Sequence, residues 1–423
     1  MTDIAYALLT LGSSGLWGFV SGWILYFYLP PTGSPLVPLA LYSVVILLSR
    51  GINIALTLPI GFISDRTHTR WGRRIPYIFV ASLFMLGTFI LLWLPPQHTE
   101  SLVNLFYLAV VMVIFNTAYS FRQIPYEALL PEFAPEEKRR VNIAGWKAGF
   151  QLVGVVLAGF AGPLIEAWGF GNAALIFVGI AFPFFFLPLF FVRKRSEHQA
   201  PPKADAAPLS FWTHLKLTLA NRAFLVFITS WALFWMSSTF VLETIPYIAT
   251  QICRGTEADT VYFYIPPIIV SLACFPIITR LANRFGKRLV FLASLLSGAV
   301  VLPGLFFIGD SIPLPLLWQG VIWICLEALA LSGAQVLPSA IAAEITDADA
   351  KVTGRRREGS YYAALGFLDQ ASSGLASALL PLFFFLGRSQ TDVHGPLGIR
   401  LLGLVGGFAL LLAFFIFRKY SPT

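Results

Sequence analysis

The chain has 423 residues, 57% of them hydrophobic and only 12% charged, with a mean hydropathy of +0.76. A soluble domain carries about twice that charge fraction, so the composition argues against one. The net charge of +8 does not mark a nucleic-acid binder, because the basic residues are confined to alternate loops between apolar runs.

The first apolar run begins near residue 6, with no basic lead and no Ala-x-Ala cleavage signal, and reads as a retained transmembrane helix. Runs of about 20 residues, each able to cross a ~30 Å hydrocarbon core, then recur. The predicted spans are 6–29, 38–63, 75–95, 101–130, 143–166, 173–193, 221–249, 260–283, 288–309, 314–343, 358–386 and 396–418. The predicted fold is an all-α membrane protein of about twelve transmembrane helices in two six-helix bundles. The predicted domains are residues 1–195, a cytoplasmic linker at 196–208 rich in Ala, Pro and charge, and residues 209–423.

The loops fall into two alternating sets. One holds Arg66 to Arg74, Lys138 to Arg140, Arg193 to Lys203, Arg284 to Arg288, Lys351 to Arg357 and the tail, about 20 of the 29 Lys and Arg; the other holds about two. The positive-inside rule places the first set and both termini in the cytosol of a multi-pass cell-membrane protein. The halves also echo each other at an offset of about 215 residues: Asp65-Arg66 with Asn283-Arg284, Gln123 to Glu132 with Gln335 to Glu344, and Arg139-Arg140 with Arg356-Arg357. Parallel six-helix repeats are a known transporter architecture.

Ionisable groups at membrane depth are functional candidates by default. On the second span Arg50 shares a helical face with Asn53 and Thr57, a polar stripe that either lines a cavity or bonds a neighbouring helix. On the first, Trp17 is the best placed of four aromatic residues to offer a stacking face. The fourth carries Arg122, Gln123 and Glu127, and the fifth Trp146 and Lys147. Glu127 and Lys147 are expected either to pair with each other or to bind polar groups of a substrate. Glu243, Glu327 and Asp369 are the candidates for proton coupling, of which Glu327 and Asp369 are favoured, with Gln370 beside the latter. Glycines 149, 154, 159 and 162 suit close helix packing. The three cysteines form neither a disulfide framework nor a metal motif. With no phosphate-cradling glycine loop, metal-ligand cluster or Ser/His/Asp pattern, no case for an enzyme, cofactor or metal arises.

Three segments carry a resemblance: Gly61 to Arg74, with its four-residue expansion Thr67–Arg70; Ile124-Pro125-Tyr126-Glu127-Ala128-Leu129-Leu130-Pro131-Glu132; and Thr353-Gly354-Arg355-Arg356-Arg357-Glu358-Gly359. On these residues the chain resembles the major facilitator superfamily, and within it the glycoside–pentoside–hexuronide:cation symporters. The resemblance implies alternating access by rocking of the two halves, and a sugar or glycoside as substrate. It also implies a substrate site containing Ser14, Gln123, Trp146, Lys147 and Gln370. It further implies a cytoplasmic gate of Gly61, Asp65, Arg66, Gly72, Arg73 and Arg74, in which Asp65 latches a neighbouring helix or its N-terminal dipole. The family's two sodium-site acids fall at Asn53 and Thr57, two acids of the sugar site fall at Ser14 and Gln123, and a Lys partner falls at Gln370. Loss of both cation-site acids together with their Lys leaves no orphaned buried charge. The expectation is therefore a carrier without the usual sodium site, coupled to protons or uncoupled, functional as a monomer in the lipid bilayer and with no nucleic-acid partner. The alternatives are a carrier of an amphipathic, lipid-like substrate and a non-transporting receptor or assembly factor on the same fold.

Overall fold

The computed structural model describes residues 2–66, 69, 74–134, 136–196, 220–353, 358–384, 386 and 396–420. Among them lie thirteen α-helices and no strand. They are α1 (Thr2–Tyr28), α2 (Leu39–Arg66), α3 (Ile75–Leu91), α4 (Leu102–Phe133), α5 (Glu137–Gly159), α6 (Ala161–Ser196) and α7 (Arg222–Tyr247). After these come α8 (Val261–Phe285), α9 (Lys287–Val301), α10 (Leu316–Val336), α11 (Pro338–Thr353), α12 (Glu358–Phe384) and α13 (Pro396–Phe417). The tenth expected span is built from α10 and α11 in series, so twelve spans are present. Among the described residues nine stretches are long and apolar enough to cross a bilayer.

The helix boundaries follow local chemistry. Ser101 caps α4, its Oγ accepting from Val103 N at 3.0 Å, and Asn221 caps α7, its Oδ1 accepting from Phe224 N at 3.1 Å. Pro338 cannot donate to the carbonyl of Ala334, and the ladder breaks between α10 and α11 there. The largest departures from the expected boundaries fall between the fifth and sixth spans. Helix α5 stops at Gly159 instead of running to 166, and α6 begins at Ala161. Pro163 explains the shift: its ring clashes with the carbonyl four residues back, so α5 cannot pass through it. Gly169 then interrupts α6 with φ 75° and ψ 167°, a conformation open to glycine at little cost.

The chain forms two compact units. One comprises Met1–Lys203 with Thr256–Tyr264, the other Ala204–Gly255 with Ile265–Thr423. In the first, α1 packs against α5 and α6, and α4 against α2 and α3; in the second, α7 packs against α12 and α13, and α9 against α10 and α13. The outward surfaces carry large apolar side chains such as Phe84, Phe106, Phe190 and Val300, as a lipid-solvated protein requires. Small residues set the α1–α5 distance: a Cβ on Gly154 would lie 2.7 Å from Leu11 O and 3.0 Å from Gly15 N. That position is reserved for close packing.

Each unit fastens an outer loop with one buried amide. In the first, Asn104 Nδ2 donates to Leu36 O (3.1 Å), Gln97 O (2.8 Å) and Thr99 O (3.0 Å), and its Oδ1 accepts from Gln97 N (3.0 Å). In the second, Gln319 Nε2 donates to Gly309 O (3.0 Å) and Leu314 O (2.8 Å), and its Oε1 accepts from Gly309 N (3.0 Å). Both amides sit in the first turn of a span, on α4 and α10.

Candidate functional site

The polar residues of the first unit gather on α1, α2, α4 and α5. Lys147 of α5 donates to both carboxylate oxygens of Glu127 on α4, at 2.7 and 2.6 Å, and Gln123 Nε2 donates to Glu127 Oε1 at 2.8 Å. Gln123 and Glu127 are one helical turn apart on α4, and the Lys147 side chain reaches them from α5. The Lys147 side chain is 15% exposed and that of Glu127 48%, so the pair is open on the carboxylate side. The ammonium also stands 4.8 Å from the centre of the Tyr126 ring, a cation–π contact.

Tyr126 ties this cluster to α1. Its hydroxyl donates to Tyr6 O at 2.9 Å and lies 2.9 Å from Thr10 Oγ1; the Tyr6 hydroxyl donates to Tyr126 O at 2.5 Å, and the two rings stack 4.6 Å apart. Arg122, one turn back on α4, is wholly buried. Its guanidinium stacks 4.3 Å from the Phe185 ring, lies 5.9 Å from that of Tyr126, and donates through Nη2 to Leu9 O. Its Nε and Nη1 have no partner among the described residues.

A second group lies farther along the same helices. Arg50 places its guanidinium 5.0 Å over the half-buried Trp17 ring, which also packs against Tyr119 at 4.6 Å. Asn53, 4% exposed, donates to Asn116 O at 2.7 Å and to Ser120 Oγ at 3.0 Å, and its Oδ1 accepts from Ser120 at 3.2 Å. Its amide is therefore spent on joining α2 to α4, the interhelical role left open in the sequence. Ser14 turns its hydroxyl back to Thr10 O (2.8 Å) and Leu11 O (3.1 Å), against Gly154. Trp146 is 51% exposed and stacks on Phe150 of its own helix at 6.1 Å, apart from the polar cluster. The side chain of Thr57 is outside the described residues.

In the second unit Asp369 sits on α12 with Oδ1 buried and without a partner among the described residues, and the Trp231 indole lies beside it. Gln370 follows it, half-buried. Glu327 on α10 is also half-buried. Glu243, by contrast, is 7% exposed and accepts from Ser377 at 2.6 Å, a carboxylate given over to joining α7 and α12.

Of the expected gate, Gly61, Asp65 and Arg66 end α2, with their side chains outside the described residues, as are Gly72 and Arg73. Arg74 is buried and forms the N-cap of α3. At the same end, Asp3 of α1 receives Arg139 of α5 through Nε (3.1 and 3.0 Å) and Nη2. These bonds raise the Arg139 pKa above its ordinary value. Tyr6, Arg122, Tyr126 and the Asp3–Arg139 pair are absent from the predicted site. Arg122 stood out in the sequence as a membrane-depth charge, but Tyr6 and Tyr126 carry no charge to mark them.

The fold and these polar clusters define a polytopic membrane carrier. The family model described as MFS/sugar transport protein matches residues 5–420, and the chain belongs to that family of transporters. Among its relatives, an isoprimeverose transporter of Lactiplantibacillus pentosus is 24% identical over 396 residues, covering 90% of this chain and 79% of that one. A glucuronide carrier protein homolog of Escherichia coli is 22% identical over 444 residues, covering 100% and 92%. Among solved structures, the nucleoside transporter NupG superposes with a TM-score of 0.68 at 12% identity, covering 99% of this chain and 100% of that one; this likeness is one of fold.

Proposed function

We propose that this transporter carries a sugar or glycoside by alternating access, coupled to protons or uncoupled, in a cell membrane with both termini cytosolic. The Gln123–Glu127–Lys147 cluster supports this most directly. A sugar presents hydroxyls that both donate and accept; a carboxylate with an ammonium and an amide 2.6–2.8 Å from its oxygens supplies both functions, and the half-exposed Trp17 ring can stack on a sugar's apolar face. Two relatives are named for an isoprimeverose and a glucuronide, which supports the same class. Sodium coupling through α2 finds no support, because position 53 holds an amide already bonded to α4. Asp369 and Glu327 are the carboxyls proposed to take up and release the coupling proton.

The test is uptake by purified protein in proteoliposomes across a panel of pentosides, hexosides and hexuronides, under imposed proton or sodium gradients. Uptake of one panel member, stimulated by an acid exterior or independent of gradients, is expected. Sodium stimulation would overturn the coupling assignment; absence of uptake across the panel would overturn the substrate class.

A further inference from the structure

The segment Thr256–Tyr264 leads from α7 into the first turn of α8, yet it packs within the first unit, while the chain on both sides of it belongs to the second. We infer that this segment is an outer strap, seated on α1 and α6 while the carrier is closed to the outside and lifted from them when it opens. Its seat is at the Tyr28 end of α1, opposite the Asp3–Arg139 pair, and so faces outward in the orientation proposed above. The strap is independent of what the carrier takes.

Two hydrogen bonds and two glycines form the seat. The Tyr26 hydroxyl of α1 donates to Glu257 Oε1 at 3.0 Å, and Ala258 N donates to Glu166 Oε2 of α6 at 2.7 Å. A Cβ on Gly162 of α6 would overlap Glu257 O and Thr260 Oγ1, and one on Gly22 of α1 would lie 2.5 Å from Tyr264 Oη. At Gly162 the obstacle is backbone, so only a glycine lets α6 and the segment approach this closely. Thr260 and Phe263 are buried there. The segment also holds its own shape: Thr256 N donates to Asp259 Oδ2 at 2.8 Å, and Thr260 Oγ1 to Glu257 O at 2.7 Å. It can therefore move as one piece. Both its edges are suited to bending. Just before it, Arg254 stands at φ 54°, a conformation that L side chains rarely adopt. Just after it, Pro266 and Pro267 offer no N–H to the carbonyls of Tyr262 and Phe263, so the first turn of α8 is held to the rest by fewer bonds. Residues of this kind, at the ends of an element, absorb the backbone change of a hinge. The seat itself rests on few hydrogen bonds, one of them to the exposed Glu166, which suits a contact that breaks and re-forms in each cycle. Rocking of the halves then opens the outer side only when the segment leaves α1 and α6.

The test is the rate at which a membrane-impermeant maleimide labels two reporters, Thr260→Cys in the strap and Trp17→Cys at mid-depth on α1. Each is placed singly in full-length protein carrying Cys253→Ser, Cys274→Ser and Cys325→Ser, and is labelled both in intact cells and in inside-out vesicles. Glu166→Ala removes the bond to Ala258, and Gly162→Ala unseats the segment sterically. Each is expected to speed labelling of both reporters from the outer face by about tenfold, the effect of losing one charge-assisted hydrogen bond from the closed form. Glu100→Ala, an exposed carboxylate of the α3–α4 loop, is expected to change neither rate. Should Gly162→Ala fail to fold, Glu166→Ala still decides, because it alters only an exposed side chain. Faster labelling of Thr260→Cys alone would mean that the segment frays without gating, and would overturn the inference; so would unaltered rates at both reporters. Acceleration at both reporters from the opposite face would support the strap and overturn the orientation.

Discussion

Replacing Lys147 with Ala separates a structural ion pair from a substrate contact. The ammonium lies 2.7 and 2.6 Å from the Glu127 oxygens. At a charge separation of about 4 Å and an effective dielectric constant of about 20, the gross attraction is ~4 kcal/mol. The Glu127 side chain is 48% exposed, and solvent screening of that end reduces the net coupling to ~2 kcal/mol. Loss of the Tyr126 contact at 4.8 Å adds about 0.5 kcal/mol. Lys147→Ala should therefore lower stability by ~2–3 kcal/mol and leave Glu127 with Gln123 alone. The double variant Lys147→Ala with Glu127→Gln removes the stranded carboxylate, and its stability should recover. The two roles then diverge in transport. If Lys147 only braces the Glu127 side chain, the KM of a folded Lys147→Ala protein is unaltered; if it also binds substrate, that KM is raised by about tenfold or more. Detergent melting curves and proteoliposome uptake read the two quantities separately. A folded Lys147→Ala protein with unaltered KM would refute the binding role.

Three further outcomes are expected. Asn53→Leu removes two donations to α4 and takes from Ser120 its partner on α2, so it should destabilise by ~2 kcal/mol, read as a lower melting point, with little change in KM among molecules that fold. Asp369→Asn, tested beside Glu327→Gln, should abolish stimulation of uptake by an acid exterior while preserving substrate exchange across the membrane; full retention of gradient stimulation in both would remove these carboxyls from the coupling step. Asp65→Asn should bias the carrier toward its inward-open form, so that a maleimide applied from the cytosolic side labels cavity cysteines faster; unaltered labelling would count against the latch.

The architecture was largely legible because it rests on two coarse signals. Apolar runs near 20 residues count the spans, and the sidedness of Lys and Arg gives the direction expected of them. Where the signal was a single residue, the reading slipped. Pro163 and Gly169 were present in the sequence, yet the apolar run continues through both, so hydropathy alone blurred the α5–α6 boundary. The site was less legible for a different reason. Glu127 and Lys147 stood out because charge is rare in the membrane, but charge does not say what bonds to it. Helical phase left Asn53 either a cavity residue or an interhelical tie; what decides it, Asn116 O and Ser120, lies on another helix some sixty positions away. Tyr6 and Tyr126 carried no charge to mark them, and their bonds also join distant segments.

The internal repeat acquires a physical meaning in the buried amides. Asn104 and Gln319 are 215 positions apart, the spacing of the sequence echoes, and each gathers carbonyls of the loop before its helix, Asn104 taking Leu36 O of the α1–α2 loop as well. Neither is charged and neither residue type matches the other, so no motif search pairs them; what has persisted is the task of satisfying loop backbone groups where the chain enters the bilayer. The basic loops have diverged in the opposite manner, alike in sequence but not in charge. In the second copy Asn283 stands for Asp65, Gly286 opens α9 at φ 87°, and Lys287 donates to Glu344 at 2.6 Å. That ion pair joins α9 to α11 within a single unit. A loop whose lysine is already held by its own unit, and which lacks the aspartate, has less to offer a latch.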